Sequence, residues 1–233
     1  MENETSNVTL IGGMCDPEPT QQLIGLVSVQ LVFYLVYSVI FISGIFGNVL
    51  VSLVVLKSPK NVTNLFILNL AFSDIVMSLF AVPFTPLHTF MGKWAFGEAL
   101  CILFPFSQGV SVYMSTLTMT IIAMDRFVVI IFPYRARMQM KTCLVLIGII
   151  NFTALLFTAP YAVHMEHGLD SYSGVNGNYQ CGETWDDGTV RTIYGAFTNV
   201  MQFVLPFVAI IFCYTAIIRK LAERSANRPG APR

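Results

Sequence analysis

Charge is scarce in this chain. Asp, Glu, Lys and Arg make up 11% of its 233 residues and apolar residues 55%, against about 25% charged and 45–50% apolar in a soluble globular domain. Histidine is scarcer still. His88, His164 and His167 are all there is; they fall outside or at the edge of the apolar runs, and no metal-ligand or nucleophile spacing joins them. The sequence has no P-loop and no dinucleotide fingerprint, so enzymatic activity is not expected. Nor does it show the ten-residue alternation of a membrane β-barrel. The N-terminus lacks a basic segment followed by a short apolar core, so the first apolar run is expected to act as its own insertion signal.

What the chain has is long apolar stretches, with a mean hydropathy of +0.68. Candidate spans are residues 26–56, 65–90, 101–131, 143–163 and 193–218, each long enough to cross a bilayer as a helix. The expected fold is an all-α transmembrane bundle over residues 26–222, preceded by a polar tail at 1–25 and followed by another at 223–233. Of the Lys and Arg residues, all but Lys93 and Arg191 fall in the last turns of spans one, three or five or after them. The positive-inside rule then places the N-terminal tail outside and the C-terminal tail in the cytoplasm. The outer tail carries glycosylation sequons at Asn3 and Asn7.

The stretch Cys101–Arg137 is the most informative. Cys101, Gln108 and Ser115 recur every seven residues, which puts them on nearly one helical stripe at increasing depth. The stripe leads to Asp125-Arg126-Phe127 and then to a basic exit containing Pro133. In span two, Asp74 is the only acid deep in any apolar run. An intramembrane carboxylate is expensive and points to an ion site, a proton site or a switch, with a protonated structural aspartate as the plainer alternative. Asn48 in span one needs a partner for the same reason, Pro83 is expected to kink span two, and Trp94 suits an interfacial anchor. Cys15, Cys101 and Cys181 fall on the oxidising side. A bridge between Cys101 and Cys181 would fasten the longest outer loop to span three and leave Cys15 over. That loop holds Glu166, Asp170, Glu183, Asp186 and Asp187. Such a cluster would steer a basic ligand, although on charge alone a solvated loop is the simpler reading. Span five carries Pro206 and, two turns on, Tyr214.

In order, Gly47-Asn48-Val49-Leu50-Val51, Leu70-Ala71-Phe72-Ser73-Asp74, Trp94 with Phe96-Gly97, Cys101, Asp125-Arg126-Phe127, Cys181, and Pro206 with Tyr214 resemble the marks of a rhodopsin-like G-protein-coupled receptor. The resemblance runs from Gly44 to Leu221. Within that family, Val82-Pro83-Phe84-Thr85, Pro105-Phe106-Ser107-Gln108-Gly109, Cys181-Gly182-Glu183-Thr184-Trp185 and Ile193-Tyr194-Gly195 are similar to the neuropeptide Y and neuropeptide F receptors.

The resemblance implies a peptide ligand, a heterotrimeric G protein, surrounding lipid, a receptor dimer partner, a plasma-membrane location and no role in nucleic-acid binding. It implies ligand contacts from Thr85, Gln108, Glu183, Asp186 and Asp187, where amine receptors carry an aspartate at the Gln108 position. It implies a switch in which Asp125 restrains Arg126, beside Phe127 and Pro133, until Arg126 turns toward Tyr214. It also implies a sodium ion at Asp74 with Ser115, and Asn48 in the same polar network.

Three departures stand out. Phe127 replaces the motif's usual tyrosine, the span-four tryptophan position falls near Ile150 or Asn151, and nothing after Ser225 resembles spans six and seven. From these a truncated receptor is expected, silent alone, retained in the endoplasmic reticulum and pairing with full-length copies. The alternative weighed is a five-span transporter or channel, for which neither an inverted repeat nor a broken-helix pathway is visible.

Overall fold

The computed structural model describes residues 26–91, 93–169 and 179–226. Asn3, Asn7, Cys15 and Asp170 lie outside the described residues.

Among the described residues there are seven α-helices and one hairpin: α1 Val27–Lys57, α2 Val62–Phe80, α3 Phe84–Met91, α4 Gly97–Ile131, α5 Met140–Val163, β1 Met165–Leu169, β2 Tyr179–Glu183, α6 Gly188–Asn199 and α7 Leu205–Ala226. Five helical stretches are long and apolar enough to cross a membrane, with α2–α3 and α6–α7 each counting as one.

The exposed surface is apolar and much of the interior is polar. Phe46, Leu56 and Val27 on α1 are 70%, 68% and 69% exposed, and α1 buries no residue. Meanwhile Ser73, Ser111, Thr118 and Thr158 are buried. This inversion follows from a lipid solvent: hydrocarbon is as apolar as leucine, so helices associate through small residues, close packing and hydrogen bonds. Asn69 Nδ2 donates to Thr118 Oγ1 at 2.9 Å between α2 and α4.

The long α4 is the central rod, packed against α2, α5 and α7. Two clusters hold it. Phe66, Cys143 and Ile150 join α2 to α5 with Leu117 of α4 against them, so Ile150, one of the two positions near which the family resemblance places a tryptophan, packs in this cluster. Tyr113, Met114 and Ala154 join α4 to α5.

Pro83 interrupts one rod and Pro206 distorts another. Pro83 ends α2: Ala81 and Val82 both donate their backbone N–H to Met77 O, at 2.8 and 3.2 Å, and the chain restarts as α3. Pro206 lacks the N–H that would continue the helix. The turn before it widens into a π-helical segment at Val200–Val204, in which Leu205 N reaches back to Val200 O.

At one end of the bundle, the short link into α4 folds around Trp94. This residue is only 3% exposed, so it is packed into the protein and not a surface anchor. Its indole donates to Gly97 O at 2.7 Å, its backbone N–H donates to Tyr179 O at 2.7 Å, and its ring meets His88 and Phe96 at 5.4 and 5.3 Å. Gly97, at φ +79°, turns the chain into α4 with a left-handed conformation that a side chain would oppose.

Candidate functional site at the Cys101 end and along α4

The hairpin β1–β2 lies against the same end of the bundle. It pairs antiparallel with His167 opposite Cys181, and Cys181 forms a disulfide with Cys101 at a Cα–Cα distance of 5.7 Å. The expected bridge is therefore present and holds the hairpin against the start of α4.

Beneath the hairpin lies a cavity of about 300 Å³ between α4, α5 and α6, lined by Gln108, Tyr113, Thr158, Tyr161, Tyr194 and Gln202 among others. No charged side chain lines it among the described residues. Gln108 places both an amide donor and an acceptor in it. The Tyr113 side chain is 1% exposed, and its hydroxyl has no hydrogen-bond partner among the described residues. Tyr194 donates to Phe157 O at 2.7 Å. Gly109 brings α4 close to Thr158, where any Cβ would meet the threonine methyl at 2.6 Å.

A second cavity of about 350 Å³ shares the walls Tyr161, Tyr194 and Thr198, and adds Glu183 and Arg191. The expected ligand acids divide here. Glu183 lines this cavity, accepts from Arg191 Nε at 2.9 Å and from Trp185 Nε1 at 3.0 Å, and forms an ion pair with Arg191. Asp187 caps α6, accepting from Thr189 N at 2.7 Å. Asp186 is exposed and lines neither cavity. Thr85, in the first turn of α3, donates to Ala81 O at 2.9 Å and also lies off both cavities. Tyr161, Tyr194 and Arg191 are wall residues to which the sequence assigned no ligand contact.

Halfway along α4, Ser115 Oγ donates to Asp74 Oδ1 at 2.9 Å and meets Ser73 Oγ at 2.8 Å. A carboxylate beside two hydroxyls is the oxygen set that a hard cation takes. The residues present therefore fit a sodium ion, which Asp74, Ser115 and Ser73 would hold. Asn48 satisfies itself within α1, donating to Gly44 O at 2.8 Å.

At the far end of α4, Arg126 donates to the Thr63 hydroxyl on α2. The described residues show no ion pair between Asp125 and Arg126. Both line a cavity of about 640 Å³ with Lys60 and Arg137. Pro133 lines a neighbouring one of about 320 Å³ together with Asp125 and Arg135. The Phe127 ring meets Phe212 of α7 at 5.8 Å. Tyr214 is 47% exposed, and no hydrogen bond links it to Arg126 in this arrangement.

Known proteins carry the same pattern. The sequence pattern of the 7 transmembrane receptor (rhodopsin family) matches residues 47–231. Neuropeptide Y receptor type 2 of Mus musculus is 36% identical over 227 residues, 94% of this chain and 59% of the relative. The same receptor of Macaca mulatta is 37% identical over 92% of this chain and 58% of its own length. Neuropeptide receptor npr-1 of Caenorhabditis elegans is 32% identical over 91% of this chain and 46% of its own length. The chain thus spans less than two thirds of the length of these relatives. With the family pattern covering most of its residues, a bundle of apolar helices and a disulfide-tied hairpin, the chain belongs to the rhodopsin family of seven-transmembrane receptors.

Proposed function

We propose that this chain forms the ligand-receiving bundle of a neuropeptide receptor that acts through a heterotrimeric G protein. The reading is carried by the pair of adjoining cavities at the Cys101 end: an uncharged one holding the Gln108 amide, and above it one holding the Glu183 carboxylate. An amine ligand needs a carboxylate at the depth of Gln108, whereas a peptide amide needs a group that both donates and accepts. Similarity to relatives named as neuropeptide receptors supports the same class. Residues 26–222 lie in the plasma membrane, with 1–25 outside and 223–233 within the cell.

The mechanism is a shift in population. A peptide at the Gln108 end favours one arrangement of α4 against its neighbours, and that arrangement changes what Arg126 meets at the other end. In the arrangement seen here Arg126 is spent on Thr63. Release from Thr63 leaves its guanidinium free for a G protein at the cavity it shares with Asp125. Asp74 and Ser115 sit between the two ends, where Asp74, Ser115 and Ser73 would hold a sodium ion whose charge would offset the buried carboxylate. The bundle also offers apolar faces on α1 and α7 to lipid or to a receptor partner.

Photoaffinity labelling with a peptide ending in arginine–phenylalanine amide tests the reading. Labelling is expected within α4–α6, competed by unlabelled peptide, and roughly 5- to 100-fold weaker in Gln108→Ala, as for loss of a buried hydrogen-bond partner. Labelling that is indifferent to both competitor and Gln108→Ala would reject it.

A further inference from the structure

The Arg126 end of the bundle gathers cations without enough acid to pair them. Lys60, Arg126 and Arg137 line one cavity of about 640 Å³ with a single carboxylate, Asp125. Arg126 is held by Thr63. Lys60 and Arg137 make no ion pair and no side-chain hydrogen bond among the described residues.

Two helix starts open onto the same space. Residues 61–64, at the first turn of α2, line the cavity, and so does Met140, the first residue of α5. The two starts lie side by side, with Cys143 Sγ donating to Val62 O at 3.5 Å. Neither Asn61 nor Gln139 caps its helix through a side chain, and neither first turn holds an acid. The first backbone N–H groups of a helix have no acceptor within it, and the aligned peptide dipoles leave that end partly positive. Side chains and backbone therefore direct positive charge at one void, and Asp125 alone opposes it. Such a void suits an anion, and guanidinium groups suit phosphate oxygens in particular.

We infer that this cavity holds the phosphomonoester of an anionic membrane lipid, with Lys60 and Arg137 as its side-chain ligands beside the α2 start. The neighbouring surface favours a lipid over a soluble phosphate. Leu144 stands one turn beyond Met140 on the same face of α5. Leu144 and Val145 are 56% and 61% exposed, so an acyl chain can run along this apolar flank while the headgroup sits at the helix ends. Basic pockets between transmembrane helices at the membrane edge hold phosphorylated headgroups in this way. Lys60 and Arg137 are exposed, and their long apolar stems let the charged ends reach headgroup level. The site is separate from the chambers at the Cys101 end, and it stands or falls apart from the peptide-receptor reading.

The test uses the full 233-residue chain in detergent micelles, with bound ligand counted by native mass spectrometry. Three probes are titrated: dioctanoyl phosphatidylinositol bisphosphate, dioctanoyl phosphatidylserine, which is anionic but has no phosphomonoester, and inositol trisphosphate, which has no acyl chains. The bisphosphate lipid is expected to bind in a single copy and more tightly than the other two. Lys60→Gln and Arg137→Gln are each expected to weaken it about five-fold, the worth of one cation at an anionic headgroup layer. Arg219→Gln removes an exposed cation of α7 that does not line the cavity, and it is expected to change nothing. Asn61→Asp separates binding from folding. Its carboxylate can cap α2 but repels phosphate, so the variant should unfold at the same temperature or higher and yet bind the lipid less. Equal weakening by Arg219→Gln and Arg137→Gln would mean a diffuse basic surface and overturns the inference. So does inositol trisphosphate binding as tightly as the lipid, or a well-folded Asn61→Asp that binds the lipid as wild type does.

Discussion

The Asp74 carboxylate on α2 accepts the Ser115 hydroxyl of α4 at 2.9 Å, and Ser115 also meets Ser73, which reaches the Leu70 carbonyl at 2.7 Å. Each hydroxyl has one proton, so Ser73 cannot serve Leu70 and Ser115 together. The cluster is short of donors around a carboxylate inside an apolar bundle, and a bound cation would remedy that. Sodium should therefore raise the thermal unfolding midpoint relative to an equal concentration of choline, corresponding to a stabilisation of up to about 2.7 kcal/mol at a hundred-fold excess over the dissociation constant. Asp74→Asn should remove the difference between the two salts. A sodium response that survives Asp74→Asn places the ion elsewhere.

Tyr113 makes a prediction of opposite sign for stability and for binding. Its hydroxyl is buried with no partner among the described residues, and an unmet buried donor costs about 1–3 kcal/mol. Tyr113→Phe keeps the ring against Phe157, whose centroid lies 5.8 Å away, and is expected to unfold at the same temperature or higher. Because Tyr113 lines the cavity with Gln108, the same change should weaken any ligand that meets the hydroxyl. A clear loss of thermal stability would mean that the hydroxyl has a structural partner.

Asp187 separates capping from ligand contact. Its carboxylate accepts from Thr189 N at the start of α6, so Asp187→Ala should cost about 0.5–2 kcal/mol in thermal or denaturant unfolding. Asp187→Asn and Asp187→Ser, which can still cap, should restore most of that. Peptide labelling should be unchanged in both. A labelling defect in the well-folded Asp187→Asn would show that the negative charge itself meets ligand.

The five apolar rods were legible because run length separates a membrane helix from a shorter core helix, and the interruption at Pro83 and the widened turn before Pro206 were legible because proline cannot donate. Sidedness narrowed the disulfide to three cysteines, Cys15, Cys101 and Cys181, and the pair Cys101–Cys181 is the one the fold joins. The hairpin was not: Met165–Leu169 and Tyr179–Glu183 are five-residue strands with little of the alternation that marks a strand. Partner choice was also hidden. Arg191 stood out as one of two basic residues among the outer acids, yet only the fold brings it onto Glu183. Thr63, which holds Arg126, lies 63 positions away in sequence. Asn48 needed no distant partner, because an asparagine inside a helix can bond its own preceding turn.

Gly109 sets the width of the chamber. A Cβ there would stand 2.6 Å from Thr158 Cγ2 and 3.3 Å from Thr158 Oγ1, closer than carbon atoms tolerate. The threonine has little room to yield: it is 3% exposed, and its hydroxyl donates to Ala154 O at 2.8 Å. Gly109→Ala must then push α4 from α5 at the level where Tyr113 and Ala154 pack, a cost of about 1–3 kcal/mol for overpacking. Thr158→Ser removes the clashing methyl and keeps the hydroxyl bond, so it should be nearly neutral alone and should recover most of the loss in combination. A double-mutant cycle by thermal unfolding reads this as a coupling of the size of the single defect. Additive losses would mean that the two helices are not in contact at Gly109, and the chamber between them would have to be wider than about 300 Å³.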